Sequence, residues 1–145
     1  MKKRIFLLLT VPLALTSCNI GPEPIHYGSD ACHSCSMTIV DQRHAAQYVT
    51  KKGKAFKFDS IECMMNGLEE SDQADIAMYV VDDFSNPGKL IDATRATYLI
   101  SKNIPSPMGA NLSAFENGEA AGAVQSQQNG ELFTWQQVRG RFTIK

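Results

Sequence analysis

The sequence predicts an α+β fold, a small single domain of short antiparallel strands with two helices. Three observations carry the prediction. The β-rich runs are short and broken by turn signals such as "KKGK" and "SNPG". Two stretches, "IECMMNGLEE" and "GEAAGAVQSQQNG", lack strand alternation and read as helices. Strands and helices also fail to follow the regular βαβ rhythm of a doubly wound sheet. At 145 residues the chain supports one domain.

Taken in order, "MTIVD" and "AQYVT" are β-rich and separated by the polar "QRHA" (residues 42–45), which suits a hairpin. "KKGK" turns the chain into "AFKFD", where Phe56 and Phe58 alternate with lysine. Asp59 or Ser60 then caps a helix whose apolar positions Ile61, Met64, Met65 and Leu68 fall at helical spacing. "DIAMYVVDDF" is a strand, "SNPG" a turn, and "KLIDA" and "ATYLIS" two further strands. "NIPSPMGANLSAF" is too rich in proline and glycine for a long element, although its end reads as a strand. "GEAAGAVQSQQNG" is a helix stopped by Gly130, and the tail is expected to hold a short helix started by Thr134 and then a terminal strand. A hairpin–Phe–helix pattern on each side of "SNPG" hints at a duplication, two ββαβ-like halves.

The ends divide the chain further. Residues 1–17 read as a lipoprotein signal peptide: a basic start, an apolar run too short to span a bilayer, then "LTSC". That tetrapeptide has the form of a bacterial lipobox, which makes Cys18 the expected lipid attachment site and the mature N-terminus. Residues 18–29, with their prolines and glycines, read as a tether, and residues 30–145 as the domain. The expected protein is anchored in a membrane and faces the periplasm. The net charge of −1 with interspersed acids and bases offers no basic block, so nucleic acid is not an expected partner.

With Cys18 committed to lipid, Cys32, Cys35 and Cys63 remain. An odd number cannot pair fully, and a free thiol in an oxidising compartment needs protection or a task. "CHSCS" lacks the histidine that must follow the second cysteine in a c-type haem motif. A thioredoxin-like pair belongs at a helix N-terminus, and here a β-branched run follows it. Zinc could draft the three cysteines with His33 or His44, but no second CxxC or HxxxH supports it. Cuprous ion fits the donors better, because thiolate and thioether are soft ligands. Cys35 and Met37, two residues apart on an expected strand, would project from one face toward one ion.

The remaining candidates divide. Met64 and Met65 fit an apolar helix face and Met78 a core strand, which makes all three packing residues. Met108, in the "SPMG" loop, is open between packing and ligation. So are Cys63, as a buried small hydrophobe or a ligand, and His33, as a ligand or a neighbour. His44 reads as a turn residue and His26 as a solvated tether residue. No nucleophile–base pair or pair of acids defines an enzyme active site. Beside the copper reading stand a thiol–disulfide lipoprotein cycling Cys32 and Cys35, and a structural zinc module that recruits protein partners.

The pieces "LTSC", "CHSCSMTI", "FDSIECMM" and "SPMGANLSAF", in this order, resemble the NosL family of copper-carrying lipoproteins, which serve nitrous oxide reductase maturation. The resemblance implies a monomeric, lipid-anchored α+β domain that binds Cu(I) in the periplasm. It would deliver the ion to apo nitrous oxide reductase beside an ABC-transporter-type maturation complex. The family's cysteine-plus-methionine site carries over onto Cys35 and Met37, with Met108 as a further donor and Cys32, His33 and Cys63 as weaker transfers. One departure is Ser36, where the family usually has glycine after the second cysteine.

Overall fold

The structure is a computed structural model that describes residues 20–70 and 73–142. Its elements are β1 (Ala46–Thr50), β2 (Ala55–Phe58), α1 (Ile61–Glu70), β3 (Ile76–Asp83), β4 (Asn86–Asp92), β5 (Thr97–Ile100), β6 (Leu112–Phe115), α2 (Gly118–Gln128), β7 (Glu131–Phe133) and α3 (Trp135–Phe142). They build two antiparallel sheets with strand orders β2-β1-β3-β4 and β6-β5-β7. The α+β class is therefore as expected, and the duplication is real at the level of topology. In each half a central strand pairs with its hairpin partner, a helix follows, and the next strand returns to the other edge of the central strand. The first half gains β4 and the second gains α3, the short helix expected after Thr134.

Sequence chemistry explains the elements. Ser60 caps α1 by accepting the Cys63 N–H at 3.1 Å. Ile61, Met64, Met65 and Leu68 then turn one apolar stripe inward and are fully buried. That stripe packs on β1 and β2 and reaches β6 and α3 of the other half. Tyr48 on β1 stacks against Phe56 and Phe58 of β2 at 4.9 and 5.4 Å between ring centres. Asn117 caps α2 by accepting the Ala120 N–H at 2.9 Å. Thr134 and Gln137 bond reciprocally at the start of α3, and Trp135 and Val138 bury its inner face.

Several expectations fail for physical reasons. "MTIVD" forms no strand and no hairpin with β1, because β2 and β3 already fill both edges of β1. The segment is a loop held by the Ala31–Thr38 bridge and by the Gly28 N–H, which donates to the Ile39 carbonyl at 2.8 Å. The terminal strand is absent through Phe142, where the capped helix α3 runs instead. The reversal after β3 falls at Phe84–Ser85 rather than within "SNPG", because Asp83 accepts the Ser85 N–H and the Asn86 side-chain amide and closes the turn early. β7 has only three residues and was not expected.

The span read as a tether is docked from Glu23 onward. Glu23 exchanges two hydrogen bonds with the Gln47 side chain at 2.8 and 2.9 Å, Ile25 is buried, and the Tyr27 hydroxyl donates to Asp82.

Candidate metal centre

The sulfur site forms where the loop preceding β1 meets the start of α1. The loop folds back on itself: the Cys32 N–H donates to the Met37 carbonyl at 2.7 Å, and the Ser36 N–H to the Cys32 carbonyl at 2.9 Å. The His33 N–H donates to the Lys57 carbonyl at 2.8 Å, which fastens the loop to β2. Closing so tight a turn places Ser36 at φ 63°, the left-handed region that glycine enters without cost. Ser36, the residue after the second cysteine, thus sits at a backbone position that favours glycine.

The fold brings Cys32, Cys35, Cys63 and Asp59 together, with one ligand atom of each within 4.8 Å of all the others. All three cysteines are free thiols; Cys32 and Cys63 are buried and Cys35 half-buried, so the cluster opens to solvent beside Cys35. Both carboxylate oxygens of Asp59 are buried without a hydrogen-bond partner among the described residues. An orphaned acid beside three thiols is a costly arrangement that a cation would relieve.

The thiols are not equivalent. The hydrogen bond from Cys63, helped by the backbone N–H groups of Cys35, Asp59 and Ser34, draws the Cys32 pKa down to about 6 against the opposing effect of burial. The same contact, then burial and the Asp59 carboxylate, push Cys63 well up. Burial also raises Cys35, and the Met37 N–H directed at its sulfur opposes this. Cys32 is therefore the most acidic thiol of the group, favoured by a neighbouring S–H and by backbone donors.

The remaining candidates Met37, His33 and Met108 sit on loops. The extended-strand argument for Cys35 and Met37 fails, since both belong to the turn; the Met37 side chain is 50% exposed. His33 is exposed, packs its ring edge-on against Phe56 at 4.6 Å, and is not part of the four-residue group. Met108 is 44% exposed on the loop between β5 and β6. Cys18 lies outside the described residues. Met64 and Met65 are fully buried packing residues, whereas Met78 is only partly covered.

Sequence reasoning missed Asp59 as a member of the site. It offered this acid or Ser60 as the helix cap, and Ser60 takes that role. His44 lies in a turn, as expected, and is buried there. Its ring nitrogens meet Asp41 Oδ2 at 2.9 Å and Ser113 Oγ at 3.2 Å. The order Asp–His–Ser suggests a nucleophile, but Ser113 lies in the middle of β6 with no exposed surface. No substrate reaches its hydroxyl, and the chain of bonds joins the two halves.

Comparisons with known proteins agree with this architecture. The family model described as NosL matches residues 25–142. The copper-binding lipoprotein NosL of Stutzerimonas stutzeri is 30% identical over 149 residues, an alignment covering 90% of this chain and 78% of that protein. The crystal structure of the copper chaperone NosL from Shewanella denitrificans matches with a TM-score of 0.69 over 80% of this chain and 93% of that one, at 22% identity. That last likeness concerns the fold. On the extent of the family match and the identity to its relative, the chain belongs to the NosL family.

Proposed function

We propose that the protein is a copper carrier that holds cuprous ion on the Cys32, Cys35 and Cys63 sulfurs and passes it on by ligand exchange. The observation that carries this reading is the convergence of three free thiols and one orphaned carboxylate within 4.8 Å. Thiolates suit a soft monovalent ion, whereas a carboxylate is a poor donor to it. Asp59 is thus assigned no bond to copper; beside the thiols it can take up a proton that one of them loses on metal binding.

Access supports carriage rather than storage. Cys35 faces outward, and the thioethers of Met37 and Met108 lie exposed on loops attached to the two cysteine-bearing segments. Uncharged thioethers are weaker donors, so they can share the ion during entry and exit. The acceptor under this reading is apo nitrous oxide reductase, with an ABC-transporter-type complex as co-worker; both follow from the family resemblance. Cys18 is assigned the acyl anchor, which holds the domain at a periplasmic membrane face. Among the described residues no helix is long and apolar enough to cross a bilayer.

Anaerobic titration of the reduced protein with Cu(I) against a chelator tests the assignment. One tightly held ion is expected, with the affinity falling in Cys35→Ser and in Cys63→Ser. Unchanged affinity in both variants would refute it, as would preferential retention of zinc.

A second reading has an observation of its own. The acidic Cys32 thiol beside Cys35 is what a cycling dithiol requires. Alkylation trapping of the protein taken directly from cells separates the two: a mostly oxidised Cys32–Cys35 pair favours redox cycling, and free thiols favour copper.

A further inference from the structure

We infer that Glu62 is a positioning residue that fastens the Met108 loop to the helix turn carrying Cys63, so that the thioether and the cysteine sulfur reach the copper from one rigid frame. The inference deepens the copper-carrier reading and rests on Met108 acting as a donor.

Glu62 precedes Cys63 in the first turn of α1 and is only 3% exposed. An acid at this position normally faces water and interacts with the helix dipole. Here the side chain leaves the helix for the loop between β5 and β6. Its Oε1 accepts the Ser106 hydroxyl and the Ala110 N–H, the latter at 3.2 Å. The Ser106 hydroxyl in turn accepts the Asn111 N–H at 2.8 Å. The Gly109 N–H closes on the Ser106 carbonyl at 3.0 Å, and Gly109 and Asn111 both take positive φ, at 79° and 60°. Met108 stands at the crest of this tight turn, and Glu62 grips the turn on both sides of it.

The arrangement is expensive unless the loop must be held. A carboxylate is buried, and its second oxygen, Oε2, has no partner among the described residues. An apolar side chain would pack this position without that cost. What the carboxylate adds is direction: two donors from residues 106 and 110 converge on one oxygen and fix the loop against the backbone that carries Cys63. Groups that orient a metal's ligands are worth about 10–100-fold in affinity.

A double-mutant cycle on the reduced full-length protein tests this, with Cu(I) as the probe. Met108→Leu should weaken Cu(I) binding, and Glu62→Ala should weaken it by about the same factor, roughly tenfold or more. The double variant should be no worse than Met108→Leu alone. Carbon-13 labelled methionine supplies the readout that a general loss of stability would not move. The Met108 methyl resonance should shift on Cu(I) addition in the parent, stay unshifted in Glu62→Ala, and shift again in Glu62→Gln, which keeps an acceptor oxygen. Ser106→Ala removes the latch from the other side and should behave as Glu62→Ala does, even if the latter does not fold.

Additive losses in the double variant, or a Met108 shift that persists without Glu62 or Ser106, would overturn the positioning role alone. If Met108→Leu binds as the parent does, the donor assignment fails and the latch fails with it. If the parent ignores Cu(I), the copper reading itself is wrong.

Discussion

Replacing Asp82 by asparagine should remove a pH-dependent part of the protein's stability. Asp82 lies on β3 with no exposed surface, and its two oxygens share the Tyr27 hydroxyl at 2.8 Å each. Burial raises its pKa from 3.8 to about 7 against the opposing bonds from Tyr27 and the Ala45 backbone, and Asp41 adds to the rise. Folded Asp82 therefore keeps its proton to about pH 7, whereas the unfolded side chain loses it near pH 4. Between those values folding takes up a proton, so stability falls as pH rises and levels off above pH 7. The whole difference is worth ~4 kcal/mol, of which ~3 kcal/mol is lost between pH 5 and pH 8. Asparagine keeps an acceptor for Tyr27 and carries no charge. Urea unfolding of the reduced apo-protein at pH 5 and pH 8 should show the parent losing ~3 kcal/mol relative to Asp82→Asn across the interval. An identical gap between the two proteins at both pH values would refute the reasoning, because the buried carboxylate would then be as acidic in the fold as outside it.

Three further outcomes follow from single contacts. Ser36→Gly relieves the left-handed strain at φ 63° and should raise stability by up to about 1 kcal/mol in urea unfolding. Gly130→Ala should cost about 2–4 kcal/mol, since its φ is +108° and a Cβ there would stand 2.3 Å from the Ile100 carbonyl oxygen. Gln47→Leu breaks the paired bonds to Glu23 and should lower the hydrogen-exchange protection of the Glu23 amide, with a stability loss of about 1–2 kcal/mol.

Much of the fold was legible because local and tertiary demands agree. Ile61 to Leu68 repeat at helical spacing and do bury one face of α1. The two Phe-containing hairpins, each followed by a helix, reflect a topology in which each half completes its own sheet. The exceptions are places where something beyond local pattern decides. "MTIV" has β-rich composition, but a strand needs a free edge, and both edges of β1 are taken. β7 is too short to announce itself and depends on Gly130 passing close to Ile100. The helical reading of "RGRF" was hidden by β-branched residues following it, while the Thr134–Gln137 cap and the burial of Val138 favour helix.

The site was legible in its elements and not in its geometry. The cysteines of "CHSC" were visible as donors, but the apparent C-x-M alternation was misleading because the backbone turns at Ser36. Cys63 is distant in sequence, and only the packing of α1 under the loop brings it to Cys32. Asp59 and Glu62 resemble ordinary acids at a helix start. That one is orphaned beside the thiols and the other reaches residues 106 and 110 follows from tertiary contacts alone.

X-ray absorption at the copper edge tests the shared three-sulfur site most directly, on the Cu(I)-loaded parent and on Cys63→Ser. A first shell made of sulfur that loses one scatterer in the variant is expected. A shell dominated by nitrogen or oxygen, or one unchanged when Cys63 is removed, would contradict it.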